Sequence, residues 1–372
     1  MNKPKADAVQ QHAARPVQAT MADVARLAAV SAMTVSRVMN GTGLVRESTR
    51  QKVAAAIATL RYTPNQEARN LAGAKPIRVG FLYSNPSAAY LGEFLVGLLG
   101  QSGRNNVQLF VEKCEPGEQE AAHAQRLIEN GLDGIILPPP LCDSRALIDC
   151  IVKAGVPAVV VACGAPDARL GAVGIDDHEA ARRMTCHLVE LGHRRIGFIA
   201  GHPNQTASAR RLQGYRAALA EKGVDAAAEL VVPGMFTYRS GLAAAAQLLA
   251  LAERPTAIFA SNDDMAAATV AVAQRLGLDV PGDLTVTGFD DSALATTIWP
   301  ELTTVRQPIA GMAREAVQAL VRQVRALRDG CAGDPAQVTM AFELVRRESD
   351  GAPRLAKKQG SDMSLTMGNR CA

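Results

Sequence analysis

An all-α helix-turn-helix headpiece followed by an α/β body of two lobes with parallel sheets is the fold class predicted from three observations. Three short helical patterns, each with one apolar face, fall between Thr20 and Leu60. From Pro76 onward, short and fully apolar runs alternate with helical stretches, the pattern of parallel strands covered on both faces. That alternation continues to about residue 349, more than one sheet comfortably takes, so two similar lobes are expected. A chain of 372 residues that is 48% hydrophobic and 20% charged has an ordinary globular composition and not that of a disordered polymer.

The elements follow in order. Residues 1–19 are polar, lack the apolar core of a signal peptide and are expected to be a disordered tail. Thr20 places a hydroxyl three residues before the carboxylate of Asp23, just ahead of Val24, Leu27 and Ala28 at helical spacing, so a capped helix is predicted over about 21–28. Ser31 can cap a second helix through about Met39, with Val35 and Val38 or Met39 inward and Met33, Ser36, Arg37 and Asn40 on the opposite side. A third helix is predicted from about Glu47 to Leu60, with Val53, Ile57 and Leu60 inward, ending before the breaker at Tyr62, Thr63 and Pro64. A helix, a short turn and a second helix with a polar outer face make a helix-turn-helix candidate, whose second helix would lie in the major groove. Up to Lys75 there are eleven Lys and Arg against four Asp and Glu, which leaves −3 on the remainder of a chain whose net charge is +4. Charge alone fits either a nucleic-acid footprint or a solvated helix face.

The run from Asn65 to Gly73 has helical caps at both ends but only about two turns, too short to be a stable helix alone. In the body, strands are predicted at 79–82, 107–111, 134–137, 158–162, 196–200, 257–260 and 284–288, and helices at 91–101, 118–129, 144–153, 179–191, 209–222, 240–250 and 264–276. Ligands of such sheets sit beyond the carboxyl ends of the strands. The residues there are Tyr83, Ser84 and Asn85, then Asn262 and Asp263, then Asp290 and Asp291; hydroxyl, amide and carboxylate groups of this kind suit a sugar-like ligand. Taken singly, Asp290 and Asp291 could equally turn the chain, and Arg211 could be a solvated helix residue.

The headpiece closely resembles that of LacI/GalR-family transcriptional regulators, through Met21 to Ala25, Val30 and Ser31, Thr34 to Val38 with Asn40, Thr49 and Arg50 with Val53, and Tyr62 to Asn65. The resemblance continues through Leu191 to His193, Arg211 to Tyr215, Ser261 to Asp263, Gly288 to Asp291 and Leu302 to Thr304. It implies two periplasmic-binding-protein-like lobes with the effector between them, and base reading by Ala32, Met33 and Arg37. Thr20, Ser31, Thr34, Ser36 and Asn40 would bind mostly phosphates. The short helix becomes a hinge that folds on DNA in a dimer, with Arg69 and the minor-groove wedge Leu71 touching DNA. Arg37 is also the strongest base-reading candidate on chemistry alone, since its fork suits guanine O6 and N7. Implied effector contacts are Arg211, Asn262 and Asp290, followed by Phe236, Gln307, Tyr83, Ser84 and Asn85; Arg211 would accept hydroxyls, a carboxylate or a phosphate. Two positions depart from the family: Ala29 stands where Gly is usual, and Arg46 where a capping Ser is frequent.

The expected domains are the tail 1–19, headpiece 20–64, hinge helix and linker 65–75, an effector-binding and dimerisation domain 76–349, and a disordered tail 350–372. Within the body the first lobe is expected at about 76–191 plus 309–337, and the second at about 192–308 plus 338–349. The expected function is sequence-specific binding of a near-palindromic DNA operator under control of a sugar or sugar derivative, by a cytoplasmic homodimeric repressor of carbohydrate uptake or catabolism. The competing readings are a sugar-binding transport-type protein and a sugar-active enzyme. No nucleotide-binding glycine loop, nucleophile elbow or zinc-protease motif is present, so no catalytic residue and no cofactor is expected. No apolar run approaches the roughly 18 residues of a membrane span, and no membrane partner is expected. Seven cysteines without a C-x-x-C pair are read as reduced, mostly buried thiols, and no metal site is expected. Cys186, His187 and His193 are better explained by a helix end with a Gly stop than by a metal.

Overall fold

A computed structural model describes residues 19–40, 45–60, 75–114, 120–331 and 334–354. The chain divides into two units, Met1–Pro76 and Ile77–Ala372. The expected hinge helix, with Arg69 and Leu71, and the terminal segments 1–18 and 355–372 lie outside the described residues.

The first unit holds α1 (Met21–Ala28), α2 (Ala32–Asn40) and α3 (Glu47–Leu60). Thr20 and Asp23 close a reciprocal capping box: the Thr20 N–H donates to Asp23 Oδ2 at 2.9 Å and the Asp23 N–H to Thr20 Oγ1 at 3.3 Å. Ala29 ends α1 in the left-handed region at φ 52°, and the next N–H, of Val30, reaches back to Ala25 O at 3.0 Å. The Ser31 hydroxyl accepts from the Thr34 N–H at 3.1 Å and starts α2. Arg46 begins α3 with its backbone carbonyl, which accepts from the Thr49 and Arg50 N–H groups. Val24, Ala25, Ala28, Val35, Val53 and Ala56 form the core, with Val38, Met39, Ile57 and Leu60 packed around it. Leu27 is the exception to the expected inward face: it is exposed, because Val24, Ala25 and Ala28 already cover the narrow contact with the other two helices.

The second unit contains two six-stranded sheets. One is built from β1 (Ile77–Tyr83), β2 (Val107–Lys113), β3 (Gly134–Leu137), β4 (Ala158–Val161), β5 (Gly171–Gly174) and β11 (Gln337–Thr339), in the order β11-β5-β4-β3-β1-β2. The other comprises β6 (Ile196–Ala200), β7 (Val231–Pro233), β8 (Ala257–Ala260), β9 (Thr285–Asp290), β10 (Thr303–Arg306) and β12 (Glu343–Val345), in the order β12-β10-β9-β8-β6-β7. All pairings are parallel except β10 with β12. The central strands β3, β4, β8 and β9 are buried throughout, as strands covered on both faces must be.

The helices are α4 (Ala88–Arg104), α5 (Glu120–Glu129), α6 (Arg145–Lys153), α7 (Asp177–Glu190), α8 (Thr206–Glu221), α9 (Tyr238–Leu249), α10 (Asp263–Arg275) and α11 (Ile309–Arg328). The expected lobe boundary at residue 191 needs correction. α7 packs along α8 and against β10 and β12, so the chain changes lobe just after β5 and not after α7. Helix periodicity reports which face is apolar but not which sheet that face will cover. α11 returns the other way, packing on α4 and on β3, β4 and β5 of the first lobe. The expected disordered tail at 350–372 is likewise corrected over 350–354. Asp350 accepts from His187 and Thr303, Gly351 pairs with His193 and Thr285, and Arg354 bridges Asp279 and Asp283. Those partners come from far along the chain and leave no local signal. Of the six described cysteines, Cys114, Cys142 and Cys186 are buried, Cys150 and Cys163 half-buried and Cys331 exposed, a more even spread than a buried set.

Candidate nucleic-acid interface and ligand cleft

α2 presents Ser31, Ala32, Met33 and Arg37 to solvent, while Val35 on its other face is wholly buried. Thr34 and Ser36 are half-buried, and the Thr34 hydroxyl pairs with that of Ser31 at 2.9 Å. Arg37 meets no acidic partner among the described residues, so its five N–H donors face outward. Thr20 stands exposed at the start of α1. Asn40 ends α2. One short helix thus carries an apolar contact surface at Ala32 and Met33 beside a bidentate donor, the combination that reads a thymine methyl and a guanine edge.

In the body, a cleft with about 410 Å³ of unfilled space, continuous with solvent, lies beyond the carboxyl ends of the strands and between the lobes. Asn85, Arg211, Phe236, Asn262, Asp290 and Gln307 all line it. Arg211 projects from α8 and is 4% exposed. Its Nε donates to Asp177 Oδ1 at 2.8 Å, its Nη1 to the Ser261 carbonyl at 2.6 Å, and Nη1 stands 4.0 Å from Asp290 Oδ1. The guanidinium lies over the Phe289 ring at 3.6 Å and faces Phe236 at 5.8 Å. Phe236 itself sits against Gly201, where a Cβ would overlap the ring, so the close approach requires glycine there.

Asp290 has φ 114° and Asp291 has φ 55°, an unusual pair for residues with side chains. Partners hold both: Gln307 Nε2 donates to Asp290 at 2.6 Å and Arg306 Nε to Asp291 at 2.6 Å. The turn reading of this pair is therefore correct as far as it goes, and it also aims Asp290 into the cleft. Asn262 caps α10 through its Oδ1, which accepts from the Met265 N–H at 3.0 Å, while its amide donates to the Phe236 carbonyl at 3.1 Å.

Burial dominates the electrostatics. It pushes the Asp290 carboxyl well above the ordinary carboxylate range, with Arg211 pulling the other way. It raises Asp263 to about 7 despite donation from Thr304 and Ser292. It also raises Asp177 against the pull of Arg211, and Asp264 against donation from Ser87. Among the described residues lining the cleft Arg211 is the only cation, and its guanidinium already stands beside two carboxylates.

Two expected contacts are corrected. Tyr83 does not line the cleft: on β1 it shares the face of Val79 and Phe81, and its ring stacks on Phe81 at 5.9 Å in the first lobe's core. Ser84 is also absent from the lining, its hydroxyl buried without a partner among the described residues. Sequence reasoning missed Pro86, Ser87, Tyr90, Pro139, Ala162, Gln205 and Ala207, which complete the walls. Pro139 stands two residues after β3 and Ala162 directly after β4, so the rule that singled out Asn262 would have found them had it been applied to apolar residues too. Contacts that tie the lobes at the cleft include the Ser87 hydroxyl, which donates to Asp264 Oδ2 at 2.7 Å, and Asp143, which accepts from the Thr206 hydroxyl at 2.6 Å and N–H at 3.1 Å, while the Gly164 N–H donates to the Thr206 hydroxyl at 2.8 Å. His187 and His193 are engaged with Asp350, Thr256 and Gly351. No described helix is long and apolar enough to cross a membrane.

Comparison with known proteins places this geometry among regulators. The profile of bacterial regulatory proteins of the lacI family matches residues 20–65, and that of a periplasmic binding protein-like domain matches 185–349. Catabolite control protein A of Priestia megaterium is 34% identical over 82% of this chain and 92% of its own length. A transcriptional regulator solved in complex with cellobiose superimposes with a TM-score of 0.69 at 33% identity, covering 89% of this chain and all of that one. The lac repressor dimer bound to operator and an anti-inducer superimposes at 0.67 with 27% identity, over 90% and 99% of the two chains.

Proposed function

This chain belongs to the lacI family of bacterial regulatory proteins, and from that premise we propose that it is a cytoplasmic, homodimeric repressor of carbohydrate uptake or catabolism genes. It binds a near-palindromic operator and is controlled by a neutral sugar held between its lobes. Two headpieces take the two half-sites, α2 in the major groove, with Arg37 on a guanine and Ala32 and Met33 on neighbouring bases. Thr20, Ser31, Thr34, Ser36 and Asn40 hold phosphates, Arg69 adds a DNA contact in the hinge, and Leu71 wedges the minor groove.

The observation that carries the ligand assignment is the state of Arg211. Its charge is spent on Asp177 and Asp290, which leaves no free cation in the cleft for a phosphate or carboxylate. What remains on offer is amide and carboxyl groups: Asn85, Asn262, Asp290 and Gln307. The Tyr90 hydroxyl and Gln307 Oε1 are buried without a partner among the described residues, and a polyhydroxylated ligand would satisfy both. Phe236 supplies the apolar face on which a pyranose ring packs. The cellobiose bound by the related regulator agrees with this chemistry. The protein has no catalytic role in this scheme, nor a transport one.

Control is a population shift. The effector favours one lobe angle, and the equilibrium of the hinge follows; full reversal of a 99:1 distribution takes about 10⁴-fold preference, near 5.5 kcal/mol. The test is selection of genomic DNA fragments on the purified protein at about 0.15 M salt, followed by titration of neutral sugars, sugar phosphates and uronic acids onto the recovered site. The reading expects one inverted repeat and a response to neutral sugars alone. Release by a phosphorylated sugar would overturn the ligand assignment, and recovery of no preferred sequence with any sugar present would overturn the repressor.

A further inference from the structure

Cys142 and Cys163 are twenty-one positions apart in the sequence, in no ligand motif. The sheet brings them together. Cys142 sits in the short turn Leu141–Asp143 after β3, and Cys163 follows β4, the strand paired with β3 in parallel. The two sulfurs and a carboxylate oxygen of Asp143 all lie within 4.8 Å of one another. Cys142 Sγ is 3.6 Å from Asp143 Oδ2, and Cys163 Sγ is 3.3 Å from Asp143 Oδ1. A tetrahedral ion with thiolates at about 2.3 Å and a carboxylate at about 2.0–2.2 Å spans sulfur–oxygen edges of about 3.5 Å, close to each of the two sulfur–oxygen separations seen here. Cys163 also borders a second cleft with about 650 Å³ of unfilled space, continuous with solvent, with Asp176, Asp177 and Arg210 on its walls, which gives an ion a route in and room for a water ligand.

We propose that Cys142, Asp143 and Cys163 form a binding site for a thiophilic divalent cation of the zinc class at the junction of the two lobes. Two thiolates select against magnesium and calcium, and one carboxylate with an open fourth position suits zinc. The site touches the helix that carries the cleft arginine. Thr206, first residue of α8, has its hydroxyl 2.6 Å from Asp143 Oδ1 and 3.6 Å from Cys163 Sγ, and the same helix carries Arg211. An ion here would fasten first-lobe loops beside the second-lobe helix that faces the ligand cleft. The inference concerns metal binding alone and stands independently of the proposed repressor function.

The experiment is titration of Co²⁺ into the reduced, chelator-treated full-length protein without sugar or DNA. A thiolate-to-cobalt charge-transfer band saturating at one equivalent and erased by Zn²⁺ is expected. Cys163→Ser and Asp143→Asn should each weaken cobalt binding at least tenfold and remove or shift the band, while Cys150→Ser and Cys331→Ser keep it. Cys163 is half-buried, so its serine variant is expected to fold, and its melting curve verifies that. Absence of a saturable band, or a band unchanged in folded Cys163→Ser, overturns the site.

Discussion

Arg37 and Met33 stand exposed on α2, held in place only by the helix that carries them, whereas Arg211 and Asp290 are about one-twentieth exposed and spend their polar atoms on Asp177, Ser261 and Gln307. Both regions present an arginine to a partner, but in opposite energetic settings. The headpiece arginine is exposed and meets no acidic partner among the described residues, so its removal is expected to leave the fold alone whether or not it serves the proposed DNA contact. The cleft arginine already neutralises buried carboxylates, so stability and binding change together there. A ligand of the cleft must fit a network that is largely satisfied without it, which favours neutral hydroxyls over charges. On α2 the exposed side chains of Ala32, Met33 and Arg37 can each be changed without breaking a buried network, so recognition in the proposed interface could be retuned one side chain at a time.

The sharpest break of this comparison is Arg211→Ala. It strands Asp177 and Asp290 in a buried site and is expected to lower the unfolding free energy of the body by about 3–5 kcal/mol, with loss of effector response. Urea unfolding followed by tryptophan fluorescence at Trp299 reads the first effect and DNA release by sugar the second. A variant as stable as the parent would mean that the internal network contributes little.

Next comes pH. Asp263 is raised to about 7 by burial, so the folded protein holds a proton that the unfolded chain gives up near pH 4. Its contribution is therefore fully present below about pH 4 and is lost as pH climbs towards 7, with a slope no steeper than about 1.4 kcal/mol per pH unit. The stability difference between the parent and Asp263→Asn should fall across that window, while other carboxylates cancel. A difference that is flat or grows with pH contradicts the raised value.

Arg37→Ala is the counterpart on the exposed side. Operator discrimination should drop by about 1–3 kcal/mol, while the unfolding midpoint stays within about 0.5 kcal/mol of the parent. Binding isotherms on the selected repeat and a scrambled duplex measure the first quantity. Unchanged discrimination would remove Arg37 from the interface.

The smallest effect is Ala29→Gly. Ala29 occupies the left-handed region at φ 52°, so glycine there should stabilise the headpiece by about 1 kcal/mol. Amide exchange in α1 and α2 would slow correspondingly; faster exchange would show that the unfolded-state entropy of glycine outweighs the relieved strain.

Much of the fold was legible because its signals are local. The Thr20 and Asp23 box, the Ser31 cap and the apolar βα alternation each act over a few residues, and periodicity reads such ranges well. Short strands such as β5 and β7, three or four residues long, and the long α11 escaped notice, the strands because so few residues carry no period. In the cleft, polar residues after strands were recognisable as ligand-facing positions, and Asn85, Asn262 and Asp290 do face it. Tyr83 is not among the lining residues, because strand alternation puts it on the face of Phe81, where its half-buried ring packs against the core.

The sequence by itself determined where helices begin and end, which runs become buried strands, the basic bias of the headpiece and the family to which the chain belongs. Only the tertiary structure decided that α7 crosses to the second lobe, that residues 350–354 pack into the body, that Asp177 and Asp290 neutralise Arg211, and that Cys142 meets Cys163. The physical reason is range. Caps, turns and amphipathic faces are settled by neighbours within one or two turns, whereas these contacts depend on the order of strands in a sheet and the choice of sheet that a helix covers. That choice is made by total burial over the whole body, which no window of sequence contains.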